Sequence, residues 1–129
     1  MATRQRISSG SPFEAAIGFS RAVRAGDRVL VSGTAPVWPD GSCPDDVDVQ
    51  ARRCLEIVTD ALAAAGAQPA DVVRTRMFLT SPADADAVGR VHGEVFSESR
   101  PAATMVVVAA LLDPRWRVEI EAEAVIATD

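Results

Sequence analysis

From Arg115 to Ala124 the chain reads Arg-Trp-Arg-Val-Glu-Ile-Glu-Ala-Glu-Ala, with polar and apolar residues in unbroken alternation. A strand sends successive side chains to opposite faces, so a period of two marks a strand covered on one side. The pattern predicts that Trp116, Val118, Ile120 and Ala122 cover a core, while Arg115, Arg117, Glu119, Glu121 and Glu123 line the other face. Three carboxylates in one row disfavour simultaneous ionisation, so at least one pKa should rise. Glu119 is the candidate for partial protonation near neutral pH.

The rest of the chain supplies the layers this strand needs. Residues 1–16, rich in Ser, Gly and Pro at Ser8 to Pro12, predict an extended lead-in. Ser20 to Arg24 and Arg28 to Thr34 predict a β-hairpin turned by Ala25-Gly26-Asp27. Pro36, Pro39, Gly41 and Pro44 mark an irregular loop. A helix should start at Asp45 or Asp46, both good caps. Its apolar stripe is Val47, Ala51, Cys54, Leu55, Val58, Ala61, Leu62 and Ala65, and Gly66 with Pro69 ends it. Val72 to Thr80 predicts a strand with Arg74 and Arg76 on one face. Ser81-Pro82 opens a second helix carrying Val88, Val91, Val95 and Phe96, closed by Ser97 to Arg100. Met105 to Leu112 is almost wholly apolar and predicts a strand buried on both faces. Asp113-Pro114 turns into the last strand.

The order β-β-α-β-α-β-β predicts one α+β domain over residues 1–129, a mixed sheet with two helices on one face. The other face would be bare, yet the Val106-Val107-Val108 strand has apolar groups on both sides. A symmetric homo-oligomer covers such a face.

Composition narrows the function. The chain has 129 residues, 48% of them hydrophobic, and a net charge of −5. Nucleic-acid binders present basic faces, whereas here every cation is a scattered Arg, which argues against a nucleic-acid role. No apolar stretch approaches a bilayer span, and Met1 to Gly10 lacks the apolar centre of a secretory signal, so the expected location is cytoplasmic. One His, two Cys and no C-x-x-C leave too few soft ligands for a metal site. Cys54 reads as a buried small apolar residue and Cys43 as a loop thiol.

Several segments, in this order and spacing, resemble the RidA/YjgF (reactive intermediate deaminase) family. They are Phe19-Ser20-Arg21-Ala22-Val23-Arg24-Ala25-Gly26-Asp27, Val31-Ser32-Gly33-Thr34, Gln50-Ala51-Arg52, Ala64-Ala65-Gly66-Ala67, Asp71-Val72-Val73 with Phe78-Leu79-Thr80, Arg100-Pro101-Ala102, and Val118-Glu119-Ile120-Glu121-Ala122. The resemblance covers nearly the whole chain. It implies a chorismate-mutase-like α+β fold, a homotrimer, and small-molecule clefts between subunits. It also implies hydrolysis of reactive enamines and imines to keto acids and ammonia, without metal or organic cofactor.

The resemblance assigns Glu119 to catalysis, where it would position or activate water. It assigns Phe19, Ser32, Gly33, Thr34, Gly89, Ala103, Thr104 and Met105 to the cleft. It also exposes a departure. Deaminating members follow the Pro-Ala pair with an Arg that clamps the substrate carboxylate, and this chain has Ala103 there. Phe19 stands for a Tyr, Met105 for a frequent Cys and Gly89 for a typical Asn. The implied activity is therefore a diverged deaminase, poor on 2-imino acids. A non-catalytic binding or regulatory trimer is the alternative, and RNA cleavage fits the acidic charge poorly.

Other candidates read more plainly. Arg74 and Arg76 are expected to pair with Glu119 and Glu121 across strands rather than to clamp a ligand. Arg115 reads as a solvated turn residue. His92 is expected to be structural, and Trp38 and Trp116 to be packing or oligomer contacts.

Overall fold

The computed structural model describes residues 3–127. Its frame is a six-stranded sheet in the order β1-β2-β3-β6-β4-β5. The strands are β1 (Arg4–Ile7), β2 (Ala22–Ala25), β3 (Arg28–Thr34), β4 (Val72–Leu79), β5 (Ala102–Val107) and β6 (Val118–Val125). The helices are α1 (Pro12–Ile17), α2 (Val47–Ala64) and α3 (Ala85–Phe96). β4 and β5 are parallel and all other neighbours are antiparallel, so the sheet is mixed and the fold α+β.

The alternating strand is central. β6 inserts between β3 and β4 and bonds to both. Its apolar row, Val118, Ile120, Ala122 and Ala124, is at most 4% exposed. That row packs under α2, whose buried positions are Val47, Ala51, Cys54, Leu55, Val58, Ala61 and Leu62, the stripe expected from spacing. Asp46 caps the helix by accepting from the amides of Asp48 at 2.9 Å and Val49 at 3.3 Å. Gly66 follows the helix end with φ 89°, a conformation that suits glycine.

Gln50, also on the buried side of α2, is fully buried and fully engaged. Its Nε2 donates to the carbonyls of Pro44 at 2.8 Å and Arg115 at 2.9 Å, and its Oε1 accepts from the Arg117 amide at 2.8 Å. One amide side chain thus ties the loop before α2 to the entry of β6.

α3 lies on the same face as α2. The Thr75 hydroxyl and His92 Nε2 are hydrogen-bonded at 2.8 Å, and the His92 ring sits 4.8 Å from that of Phe96. His92 is therefore a structural link between β4 and α3.

Several sequence expectations are corrected. The segment 1–16 is not a plain lead-in but holds β1, paired with β2, and the short α1 capped by the Ser11 hydroxyl. Ser81-Pro82 opens a 3-10 turn, Pro82–Asp84, before α3 begins. The strand placed at Met105 to Leu112 is instead Ala102–Val107. β5 takes its register from β4, from Arg74 opposite Ala102 to Leu79 opposite Val107, and beyond Leu79 there is no strand to pair with. Leu112 is 95% exposed in consequence.

Nor is β5 buried on both faces within one chain. It is the sheet edge, and Val106 and Val107 are exposed. The last strand starts at Val118, because an Asp113 turn accepts from the Arg115 and Trp116 amides and holds Arg115 to Arg117 outside the ladder. Arg115 pairs with Asp113 as an exposed turn residue. Trp116 is only half-buried. Arg117 leaves the polar row for Asp84, at 2.7 Å, and for the Asp45 carbonyl.

Gln50→Met keeps length but leaves one amide and two carbonyls without their partner. Its unfolding free energy should fall by about 3 kcal/mol, measured by urea denaturation at unchanged m-value.

Candidate functional site

The face of β6 away from the helices carries Glu119, Glu121 and Glu123, as the alternation requires. Antiparallel pairing decides what stands beside each. Glu121 lies opposite Arg76 and pairs with it at 2.7 Å. Glu123 lies opposite Arg74 on β4 and Leu30 on β3, and takes Arg28 at 3.0 Å. Glu119 lies opposite Phe78. Among the described residues it has no ion-pair partner, so the expected pairing of Arg74 or Arg76 with Glu119 does not form.

The reason lies in β3. Val31 pairs with Ala122 and Thr34 with Ile120, so three steps along β3 match two along β6. Ser32 and Gly33 form a bulge, the device by which a sheet re-aims side chains. The Ser32 hydroxyl donates to the Ser20 carbonyl at 2.7 Å, and the Thr34 hydroxyl to the Ser32 carbonyl at 2.8 Å. Gly33 then lies against Glu119, where a Cβ would sit 2.6 Å from Oε2. Glycine here makes room for the carboxylate. Thr34, assigned to the cleft by resemblance, is buried on the core side and supports the bulge from behind.

Burial is the main cause that raises the Glu119 pKa above the ordinary glutamate value, with Arg21 opposing it and Glu121 adding to it. The upward direction expected from sequence is therefore found, but removal from water outranks the row of like charges. The strand pattern does not single out Arg21 as a site residue. Its Nη2 donates to the Gly33 carbonyl at 2.7 Å, and its guanidinium lies 5.8 Å from the centre of the Phe19 ring. Parity with Val23 on the open face was the available signal, but only the bulge brings Arg21 to Glu119.

Beside the bulge is an open cavity of about 500 Å³, lined by Phe19, Ser20, Ser32, Val23, Glu14 and Arg6 among others. The hydroxyl and amide of Ser9 donate to the Glu14 carboxylate and lower its pKa from the ordinary glutamate value. Phe19, Ser32, Gly33 and Glu119 thus come together in one chain.

The remaining candidates do not join them. Ala103 lies opposite Thr75 and Met105 opposite Met77, both on the helix face. Gly89 on α3 looks toward the Met105 methyl. Glu119 and Ala103 are therefore on opposite faces of the sheet. Thr104, opposite Arg76, is on the open face at the edge strand. The candidates therefore fall on two faces of the sheet.

Two consequences are measurable. Gly33→Ala should displace the Glu119 carboxylate rather than unfold the protein, because the clashing atom is the far end of a side chain. Stability should change by no more than about 1 kcal/mol while the Glu119 carboxyl resonance moves. The folded state keeps the Glu119 proton to a higher pH than the unfolded chain does, so stability falls as pH rises through that interval. Glu119→Gln should therefore be more stable than the unmodified protein at neutral pH, a difference that vanishes below the ordinary glutamate range in pH-dependent melts.

Comparison with known proteins places this arrangement in context. The family model described as endoribonuclease L-PSP matches residues 9–126. An uncharacterised protein of Streptomyces coelicolor is 41% identical over 121 residues, 93% of this chain and 90% of that one. A protein of Salmonella typhimurium named 2-iminobutanoate/2-iminopropanoate deaminase is 38% identical over 117 residues, 86% of this chain and 90% of its own. Among solved structures, a Mycobacterium tuberculosis member of the YjgF/YER057c/UK114 family superposes with a TM-score of 0.88 at 45% identity, over 96% of this chain and 100% of that one. TdcF of E. coli with bound serine gives 0.80 at 32%, over 95% and 94%.

Proposed function

The chain belongs to the RidA/YjgF family, and on that premise we propose that it forms a homotrimer with a small-molecule cleft between subunits. In that cleft it acts as a diverged enamine or imine deaminase-like hydrolase, poor on 2-imino acids. The observation that carries the reading is Glu119. Of the three carboxylates on β6 it alone lacks an arginine partner, and it is half-buried beside a bulge that leaves room for it.

Hydrolysis of an imine needs a base and then an acid. Glu119 takes a proton from water as the oxygen attacks the imine carbon and returns it to the nitrogen, giving a carbinolamine. It then takes the hydroxyl proton as the carbonyl forms and passes it to the nitrogen as the C–N bond breaks and ammonia leaves. The route uses no cofactor. A pKa raised above the ordinary glutamate value moves Glu119 toward the range in which one group can both take up and release a proton. Phe19 and the Ser32-Gly33 backbone form the wall on this side.

Ala103, Met105 and Gly89 complete the cleft only if a second copy supplies them, because within one chain they face away from Glu119. The apolar edge of β5 and the exposed Leu30 and Val106 on the open face support an assembly that covers them. A methyl group at position 103 offers a carboxylate no planar fork, which is why 2-imino acids should be poor substrates. The same substitution favours a second reading, a trimer that binds a small molecule without turning it over.

With an enamine generated in situ, the unmodified protein should hydrolyse 2-imino acids slowly and Glu119→Gln at background. Ala103→Arg should be faster by about tenfold, the worth of a charge-assisted hydrogen bond. Equal rates for the unmodified chain and Ala103→Arg would overturn this account of the cleft. Saturable ligand binding without turnover would select the binding module. Light scattering should give three times the mass of one chain, and a monomer would remove the shared cleft.

A further inference from the structure

We propose that Arg21 is the positioning residue of this site, holding the Ser32-Gly33 bulge against Glu119 and lending that carboxylate its compensating positive charge. The inference rests on the reading of Glu119 as the reacting group and names the side chain that sets its state.

The geometry is unusual for an arginine beside carboxylates. Arg21 forms no carboxylate pair within 4.0 Å among the described residues, whereas seven other arginines do. Among the described residues its one side-chain hydrogen bond goes from Nη2 to the Gly33 carbonyl at 2.7 Å, and its Nε is buried without a partner. Leaving a buried guanidinium nitrogen unsatisfied is costly, so packing must hold the side chain in this pose. Phe19 supplies part of it, with the guanidinium 5.8 Å from the ring centre. One side chain therefore touches the aromatic wall, the bulge and the field at Glu119.

The bulge needs such a tie. Two consecutive residues there leave the regular ladder, and Gly33 must stay where its missing Cβ clears Glu119 Oε2. A donor on the Gly33 carbonyl fixes that peptide from the side. A full ion pair, of the kind Arg76 forms with Glu121, would favour the charged form of Glu119. A guanidinium set back on the Gly33 carbonyl leaves the carboxylate free to exchange its proton while limiting how far burial raises its affinity.

The groups that face Glu119 are few. Arg21 comes from the entry to β2 and Glu121 from β6 itself; Cys54 of α2 lies on the opposite face of the sheet, where its thiol donates to the Val118 carbonyl at 3.7 Å. Glu14 on α1 reaches it only through Arg21. Removing the Arg21 charge therefore has one predictable sign.

The test is a carbon-13 carboxyl NMR titration of the full chain, with Glu119 identified by its loss in Glu119→Gln. Arg21→Gln keeps a donor without charge, Arg21→Met removes both, and Arg21→Lys keeps charge and donor. The Glu119 midpoint should rise in Arg21→Gln and Arg21→Met and stay near the unmodified value in Arg21→Lys. The Thr34 amide resonance, which shares a peptide with the Gly33 carbonyl, should move most in Arg21→Met. The acidic limb of any hydrolysis profile should follow the same midpoint. If the midpoint is unmoved in Arg21→Gln with melting temperature intact, the proposal is overturned, and Arg21→Gln alone decides should Arg21→Met fail to fold. If the midpoint moves but Glu119→Gln retains full turnover, the Arg21 role stands and the hydrolytic reading of Glu119 falls.

Discussion

The insertion of β6 between β3 and β4 is the constraint on which the structure depends. It is hydrogen-bonded on both sides, and its two faces have opposite chemistry. Slipping it by one residue would drive three glutamates under α2 and expose Val118, Ile120 and Ala122. The register is therefore held by the cost of burying charge as much as by the gain from burying apolar surface. Gln50 and Asp84 lock its entrance, the first through the Arg117 amide and the second through the Arg117 guanidinium.

That strand also organises the candidate site. Three equivalent carboxylates become unequal through their neighbours alone. Two pair with Arg76 and Arg28, and the third meets Phe78 on one side and a bulge on the other. The bulge lets the sheet hold Glu119 half out of water without an ion pair. The opposite placement of Ala103 follows from the same pleat. Within one chain, Glu119 and Ala103 face opposite sides of the sheet.

Much of the fold is legible in residue order. The α2 stripe, its Asp46 cap and its Gly66 end follow from helical spacing and local chemistry, and so does the Gly26 hairpin. The apolar run starts three residues after β5 does, because hydrophobicity marks burial potential, whereas pairing with β4 decides where a strand runs. β1 and α1 were missed because Ser, Gly and Pro obscure short elements whose stability comes from a neighbour strand and a cap. Arg117 broke the alternation for a similar reason. A turn centred on Asp113 and a buried acid at Asp84 outbid the pleat.

Sequence by itself determined the layering, the family, and the presence of three acids on one face, because side-chain periodicity and local caps are encoded along the chain. Only the tertiary structure decided which acid goes without a partner, that Arg21 stands beside it, and that Ala103 lies behind the sheet. Those facts depend on which distant strands become neighbours and on one extra residue in β3, and neither is written in any local pattern.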